Sequence, residues 1–409
     1  MKESKMNKNQ SPLWLVFLLA ASCGLIAANL YYAQPLAGLI GNSLSMPRSM
    51  TGLIVTMTQL GYVIGLLFIV PLSDMAENRL LTGLGLMTAA CGLLISALTH
   101  HTGLFLFAAC LTGFGSVSAQ ILVPYSASLV PAKEQGRMVG NVMSGLLLGI
   151  MAARPLSSLL AQFTGWRSVF LISAGIMAVI AALLVYLLPP RSPRKNQSYR
   201  SLIASLLPLL IHTPVLKRRA VYQACLFCSF SLFWTVAPMW LEEHYHLTQT
   251  GIALFSLAGV GGAAVSPISG KLADRGFTKP LTLVAFLTAS AAFLLTRGIL
   301  SPTRISLMVF LAAALLLDMA VSGNLVLSQK AIYELGDQTR GRMNGIFMAV
   351  FFTGGALGSF LGGWAYAYAS WSGASLIGMA MPLIALLYFL TDNGYNHNYK
   401  KEIINGQII

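Results

Sequence analysis

Long apolar runs decide what this chain can become. Beginning with "LWLVFLLAASCGLIAANLYYAQPLAGL" at 13–39, stretch after stretch passes with hardly a charge, at the length of about 20 residues that a helix needs to cross a hydrocarbon core. Lipid offers the backbone no hydrogen-bond partners, so such spans must be helices or a closed barrel. The runs are continuous and lack the alternation of barrel strands, which leaves helices. With 56% hydrophobic and 9% charged residues, no water-soluble surface could be assembled, so an integral membrane protein is expected.

Twelve spans are read near 13–39, 50–72, 80–98, 103–129, 138–162, 167–188, 220–241, 250–271, 280–297, 304–327, 342–367 and 373–391. Lys2, Lys5 and Lys8 ahead of "LWLVFLLAASC" imitate a signal peptide, but the run continues to about Leu39, too long for a signal core, so a retained first span is expected. The connections are short except 189–219, which divides the chain into a bundle at 1–188, a linker, a bundle at 220–391 and a tail at 392–409; a short helix is expected at 201–211. Of the 26 Lys and Arg, Arg48, Arg167, Arg297 and Arg304 fall in outer loops and Arg154 inside a span, while the rest lie on the side of both termini. That asymmetry predicts cytoplasmic termini, and makes the charge of +14 a matter of topology and not of nucleic-acid binding. The five cysteines lie in apolar runs, so neither disulfides nor a zinc site is expected. His100, His101, His244 and His246, beside Glu242 and Glu243, read as solvated outer residues, with no metal site.

The second half echoes the first. "QGRMVGNVMSGLLLGIMA" at 135–152 matches "RGRMNGIFMAVFFTGGAL" at 340–357, and Trp166 pairs with Trp371 at the same offset. "PLSDMAENR" at 71–79 corresponds to "GKLADRGFTK" at 270–279. Two six-helix halves of one orientation are what a parallel-repeat transporter requires, with substrate bound between them. The chain resembles the major facilitator superfamily over essentially its whole length. "GKLADRGFTK" is similar to that superfamily's signature loop, and "NLYYAQPL", "AQILVP", "GLLLGIMAAR", "SQKAIYEL" and "GGALGS" resemble a bacterial subfamily of efflux permeases. The resemblance implies an all-α fold of twelve transmembrane helices in two bundles. It also implies gating at the inner helix ends, by Asp74 and Arg79 in the first half and Asp274, Arg275 and Lys279 in the second.

Asp318, in "AAALLLDMAVSGN", is the sharpest chemical signal. A carboxylate at such depth costs around 2.5–3.5 kcal/mol on insertion scales and is by default a proton or ion site. Arg154 is the candidate partner, yet it lies about 16 residues from the inner face against about nine for Asp318, a difference near 10 Å. Two readings stay open: a pair formed in one state, or an arginine acting on substrate or a gate alone. On a helix turning about 100° per residue, Asn29 and Tyr32 share one face and Tyr31 and Gln34 nearly the opposite one. One face is expected to line the cavity and the other to pack, with Pro35 permitting a bend. Gln59, Gln120, Gln223 and Asn324, with the aromatic Tyr125 and Trp234, suit a forgiving amphipathic cavity. The ladders Gly145-Gly149-Ala153 and Gly354-Gly358-Gly362 read either as packing or as seams between the halves.

No phosphate-binding loop and no nucleophile elbow occurs, so neither ATP-driven transport nor membrane enzymology is expected. The expectation is a monomeric secondary transporter of the bacterial inner membrane, exporting small amphipathic compounds against protons by alternating access, without a cofactor. The alternative is a carrier of one metabolite, a sugar, amino acid or organic anion, in either direction.

Overall fold

The computed structural model describes residues 13–131, 134–190, 198–297, 302–335 and 340–391; the expectations for the two tails lie outside these. The helices are α1 (Leu13–Ala28), α2 (Ala37–Ser43), α3 (Leu53–Phe68), α4 (Asn78–Leu98), α5 (Thr102–Ser116), α6 (Ser118–Ser128), α7 (Gln135–Thr164), α8 (Trp166–Leu187), α9 (Tyr199–His212), α10 (Pro214–Tyr245), α11 (Gln249–Ser256), α12 (Val260–Asp274), α13 (Thr278–Arg297), α14 (Arg304–Tyr333) and α15 (Arg340–Leu390). α15 is two arms joined at Ala369 and Ser370, whose backbone is not helical. Among the described residues, ten helical segments are long and apolar enough to cross a membrane. The last of these holds both arms of α15, and α1, only 16 residues long, completes its crossing through turns at 29–36 and α2. Twelve crossings result, with α9 in the linker.

Two boundaries lie six residues from expectation, the start of the seventh span and the end of the tenth, for one reason: polar residues there continue a helix. α10 starts at Pro214, so Arg218 and Arg219 are helical. Arg218 donates to the carbonyl of Tyr388 at 3.0 Å, capping the end of α15, and Arg219 is buried on the Thr282 hydroxyl at 2.8 Å. α14 runs on to Tyr333, past Ser328 and Lys330.

The halves repeat one packing scheme. α1 lies on α7, α3 on α5 and α4 on α8; likewise α10 lies on the first arm of α15, α12 on α14 and α13 on the second arm. Small residues bring backbones together at the first pair of each set. A Cβ on Gly149 would stand 2.1 Å from the Gly24 carbonyl oxygen, and one on Gly358 would stand 2.0 Å from that of Cys228. Both glycine ladders therefore pack inside a half, and neither is a seam between halves. The close contact between halves is elsewhere: a Cβ on Gly52, ahead of α3, would meet the Ser359 carbonyl oxygen at 2.1 Å. Between α7 and α8 the chain turns at Gly165 with φ +81°, and at the equivalent place in α15 Ser370 takes φ +52°. Trp166 and Trp371 follow these two turns and are both buried.

Ser370 holds backbone angles that only glycine adopts without strain, at a cost on the order of 1–3 kcal/mol. Ser370→Gly restores the residue that the first half uses. After the added freedom of the unfolded chain is subtracted, it should stabilise the protein by about 1 kcal/mol, read as a raised melting temperature in detergent.

Candidate functional site

The cluster is assembled where α1 ends. Pro35 cannot donate to a helical ladder, and the amides of Asn29, Leu30, Tyr31 and Gln34 bond to carbonyls three residues back instead of four. This tightened segment faces two ways. Asn29 is taken up by its own half: its carbonyl oxygen accepts from the Ser173 hydroxyl at 2.7 Å, and its amide reaches Ser116 and Met177. Tyr31 and Gln34 point the other way, toward Arg154 on α7. Tyr32 packs against the cores of both halves.

Arg154 is 2% exposed and Asp318 4%. The guanidinium lies over the rings of Trp234, Phe230 and Tyr31, with its carbon 4.3, 4.8 and 5.4 Å from their centres. Its Nε donates to Gln34 Oε1 at 2.9 Å, and its Nη1 stands 3.9 Å from Asp318 Oδ1 on α14. The Trp234 indole N–H donates to Asp318 Oδ2 at 2.9 Å. The pair thus bridges the halves. The extra helix at the end of α14 makes this possible: counted from Gln135 and from Tyr333, the two Cα atoms differ in depth by about 6 Å, which an arginine side chain spans. A short 3-10 turn at Leu257–Gly259 passes beside them, and a Cβ on Gly259 would stand 3.1 Å from Arg154 Nη1 and 3.5 Å from Asp318 Oδ1. Neither Gly259 nor Phe230 was singled out from sequence; the glycine-rich "AGVGGAA" was the available signal.

The other polar candidates divide by partner. Gln59 on α3 donates to Ser231 on α10 at 2.9 Å, joining the halves, and Ser231 and Thr235 both meet Ser359. Gln120 donates to the Tyr62 hydroxyl at 3.0 Å, whose ring packs on Phe352 of the opposite half. Gln223 and Asn324 bond to one another at 2.7 Å inside the second half. The Tyr125 hydroxyl donates to the Pro189 carbonyl at the inner end, away from the cluster. An apolar groove between α4 and α8, lined by Leu84, Met87, Ala182 and Tyr186, shares no residue with it.

Of the expected gating residues, Asp74 closes a 3-10 turn at Pro71–Asp74, and Arg79 bonds Glu77 at 2.8 Å and the Leu188 carbonyl at 3.4 Å. Asp274 pairs with Lys330 of its own half at 2.6 Å, while Arg275 and Lys279 are exposed. On the face away from the termini, Glu243 of the second half reaches Arg48 of the first at 3.4 Å and is held by the Tyr366 hydroxyl of its own half, which donates to it at 2.7 Å. The Thr56 hydroxyl adds a bond to the Ala356 carbonyl at 3.0 Å. These ties lie between that face and mid-span, so the far face is closed. His100 meets Arg167 in one half and His244 stacks on Trp240 in the other.

A helical bundle pair with a charged bridge at its centre is the construction of a transporter, and the comparisons agree. The Major Facilitator Superfamily matches residues 16–334 and 220–403, and the chain belongs to that family. It is 36% identical over 386 residues to the uncharacterized transporter YgaY of Escherichia coli O157:H7, covering 94% of this chain and 96% of that one. It is 33% identical over 368 residues to the probable transporter SCO4007 of Streptomyces coelicolor, covering 88% and 83%. The solved nucleoside transporter NupG superposes with a TM-score of 0.73 at 13% identity, over 92% of this chain and 98% of that one, which shows a shared fold. The chain is a multi-pass membrane transporter.

Two outcomes test this geometry. Arg48 is largely exposed and its ion pair contributes little, on the order of 0.2–1 kcal/mol, whereas the buried Tyr366 hydroxyl bonds a charged acceptor, worth about 1.5–3 kcal/mol. Arg48→Ala, which removes a tie between the halves, should therefore raise far-face labelling of a cysteine placed at Gly38 by no more than about fivefold, while Tyr366→Phe, which loses a bond inside the second half, should lower the melting temperature more than Arg48→Ala does. Gly259→Val should force Arg154 and Asp318 apart and lower the melting temperature, while Gly140→Ala, at an open position inside α7, should not lower it.

Proposed function

We propose that this chain is a proton-coupled secondary transporter of small amphipathic compounds, and that Asp318 takes the proton. The observation that carries the reading is a carboxylate buried between the halves, facing the Arg154 guanidinium of the other half at 3.9 Å. While Asp318 is ionised, the attraction helps hold the halves together near mid-membrane. Protonation removes that attraction and lets the halves rock about the site. The ring-lined surroundings suit an apolar ligand body. Basic residues at the near-face ends, such as Arg79, Lys217, Lys271 and Lys330, support cytoplasmic termini in a bacterial inner membrane.

The same pair supports two coupling schemes. A cationic compound competes with the proton for Asp318 and is exchanged for it, the export scheme that the subfamily resemblance implies. A compound that binds Arg154 instead travels with the proton, as a metabolite carrier would. The sign of the proton movement separates them.

The test is a pH dye sealed inside proteoliposomes, wild type beside Asp318→Asn, with cationic dyes, weak acids, sugars and amino acids added in turn. Accumulation driven by a pH gradient should fall at least about tenfold in the variant, corresponding to about 1.4 kcal/mol of lost coupling, while exchange of labelled compound persists. Undiminished gradient-driven transport in Asp318→Asn would sink the proposal.

A further inference from the structure

We infer that the site selects compounds carrying a carboxylate, or an equivalent anionic acceptor, on an apolar ring-bearing body. This rests on the reading of the Arg154–Asp318 pair as the transport site. The argument is a count of donors. Arginine has only donors. Nε of Arg154 is bonded to Gln34 Oε1, Nη1 is 3.9 Å from Asp318 Oδ1, beyond a hydrogen bond, and Nη2 has no protein partner.

The bond to Nε also fixes the Gln34 amide. Its oxygen must face the guanidinium, so Nε2 is the group turned away, and Nε2 likewise has no protein partner. Gln34 is 0% exposed and Arg154 2%. Two adjoining, fully buried donors are therefore left over, on residues from the two elements that frame the first half's side of the site. A buried donor without an acceptor is destabilising, more so when charged.

The acceptor side differs in that its charge is already matched. Asp318 Oδ2 is bonded to Trp234, and its Oδ1 faces Arg154. An ammonium group on Oδ1 would sit beside the Arg154 guanidinium, a like-charge contact that selects against it. A carboxylate, with two oxygens and only acceptors, satisfies the two spare donors at once. The rings of Tyr31, Phe230 and Trp234 already surround the guanidinium and supply the apolar wall. Such an anion and a proton cooperate, because each neutralises one of the two charges that the pair holds in balance. Compound and proton are then carried together.

The experiment is calorimetric titration of the purified full chain in detergent with three probes of one shape: phenylbutyrate, phenylbutanamide and phenylbutylammonium. Phenylbutyrate should bind at least about tenfold more tightly than the other two. Asp318→Asn should tighten it further by freeing Arg154, and Gln34→Glu, which keeps a partner for Arg154 while removing the donor, should abolish the preference. Equal or tighter binding of the ammonium or amide overturns the inference, as does no binding of phenylbutyrate; the wild-type series decides this even if a variant fails to fold. A pH electrode in weak buffer separates the two proposals. Carboxylate preference without proton uptake sinks the coupling and leaves the anion site standing, whereas proton release driven by phenylbutylammonium does the reverse.

Discussion

The charge on Arg154 sits where water cannot follow it, and removing an ion from water costs several kcal/mol even after relaxation. Three kinds of neighbour stand in for the lost solvent. The faces of Trp234, Phe230 and Tyr31 offer their negative quadrupoles, which contribute on the order of 2 kcal/mol when desolvated. Gln34 supplies a carbonyl oxygen from the broken end of α1, and Asp318 supplies the opposite charge from the other half. No single element could carry all three, so the arginine needs both halves closed around it. The break at Pro35 and the turn at Gly259 follow from the same need, since one aims Gln34 and the other clears space for the pair.

Packing determines what is able to move. Inside each half, α1 on α7 and α10 on α15 meet backbone to backbone, with Gly149 against Gly24 and Gly358 against Cys228. Such contacts leave no room to slide without a steric penalty, so each half behaves as a body. Between the halves, apart from the close approach at Gly52, the ties are side-chain bonds: Glu243 with Arg48, Thr56 with the Ala356 carbonyl, Gln59 with Ser231, and Arg154 with Asp318. Bonds of that kind break and reform singly. The linker helix α9 spans the near side, where Tyr199 donates to the Phe68 carbonyl and Ser205 accepts from Arg342.

Much of this was legible because membranes simplify sequences. The apolar runs marked the crossings, and the glycine register around 135–152 and 340–357 exposed the repeat. Arg154 and Asp318 stood out as charges deep in spans. Their proximity did not, because the apolar run gives way to polar residues after Leu327, six residues short of the helix end at Tyr333. The two faces of "NLYYAQPL" were separable, but which one meets Arg154 was not, since regular helical geometry fails over 29–36. Glu243 was hidden among residues that resemble any solvated helix end. Its role depends on Arg48 and Tyr366, more than a hundred residues away on either side.

The two halves share a backbone plan without sharing a charge. Five residues after Gly149 stands Arg154, and five residues after its counterpart Gly354 stands Ser359, which meets only the hydroxyls of Ser231 and Thr235 among its described side-chain partners. A site built on a perfect two-fold axis would have no front or back, and a guest could lie in it either way round. Here the repeat-equivalent positions hold a guanidinium in one half and a hydroxyl in the other, whose charge, Asp318, comes from a different helix. On the proposed scheme, a polar-headed guest would be oriented as a vector, its head against one half and its body against the other.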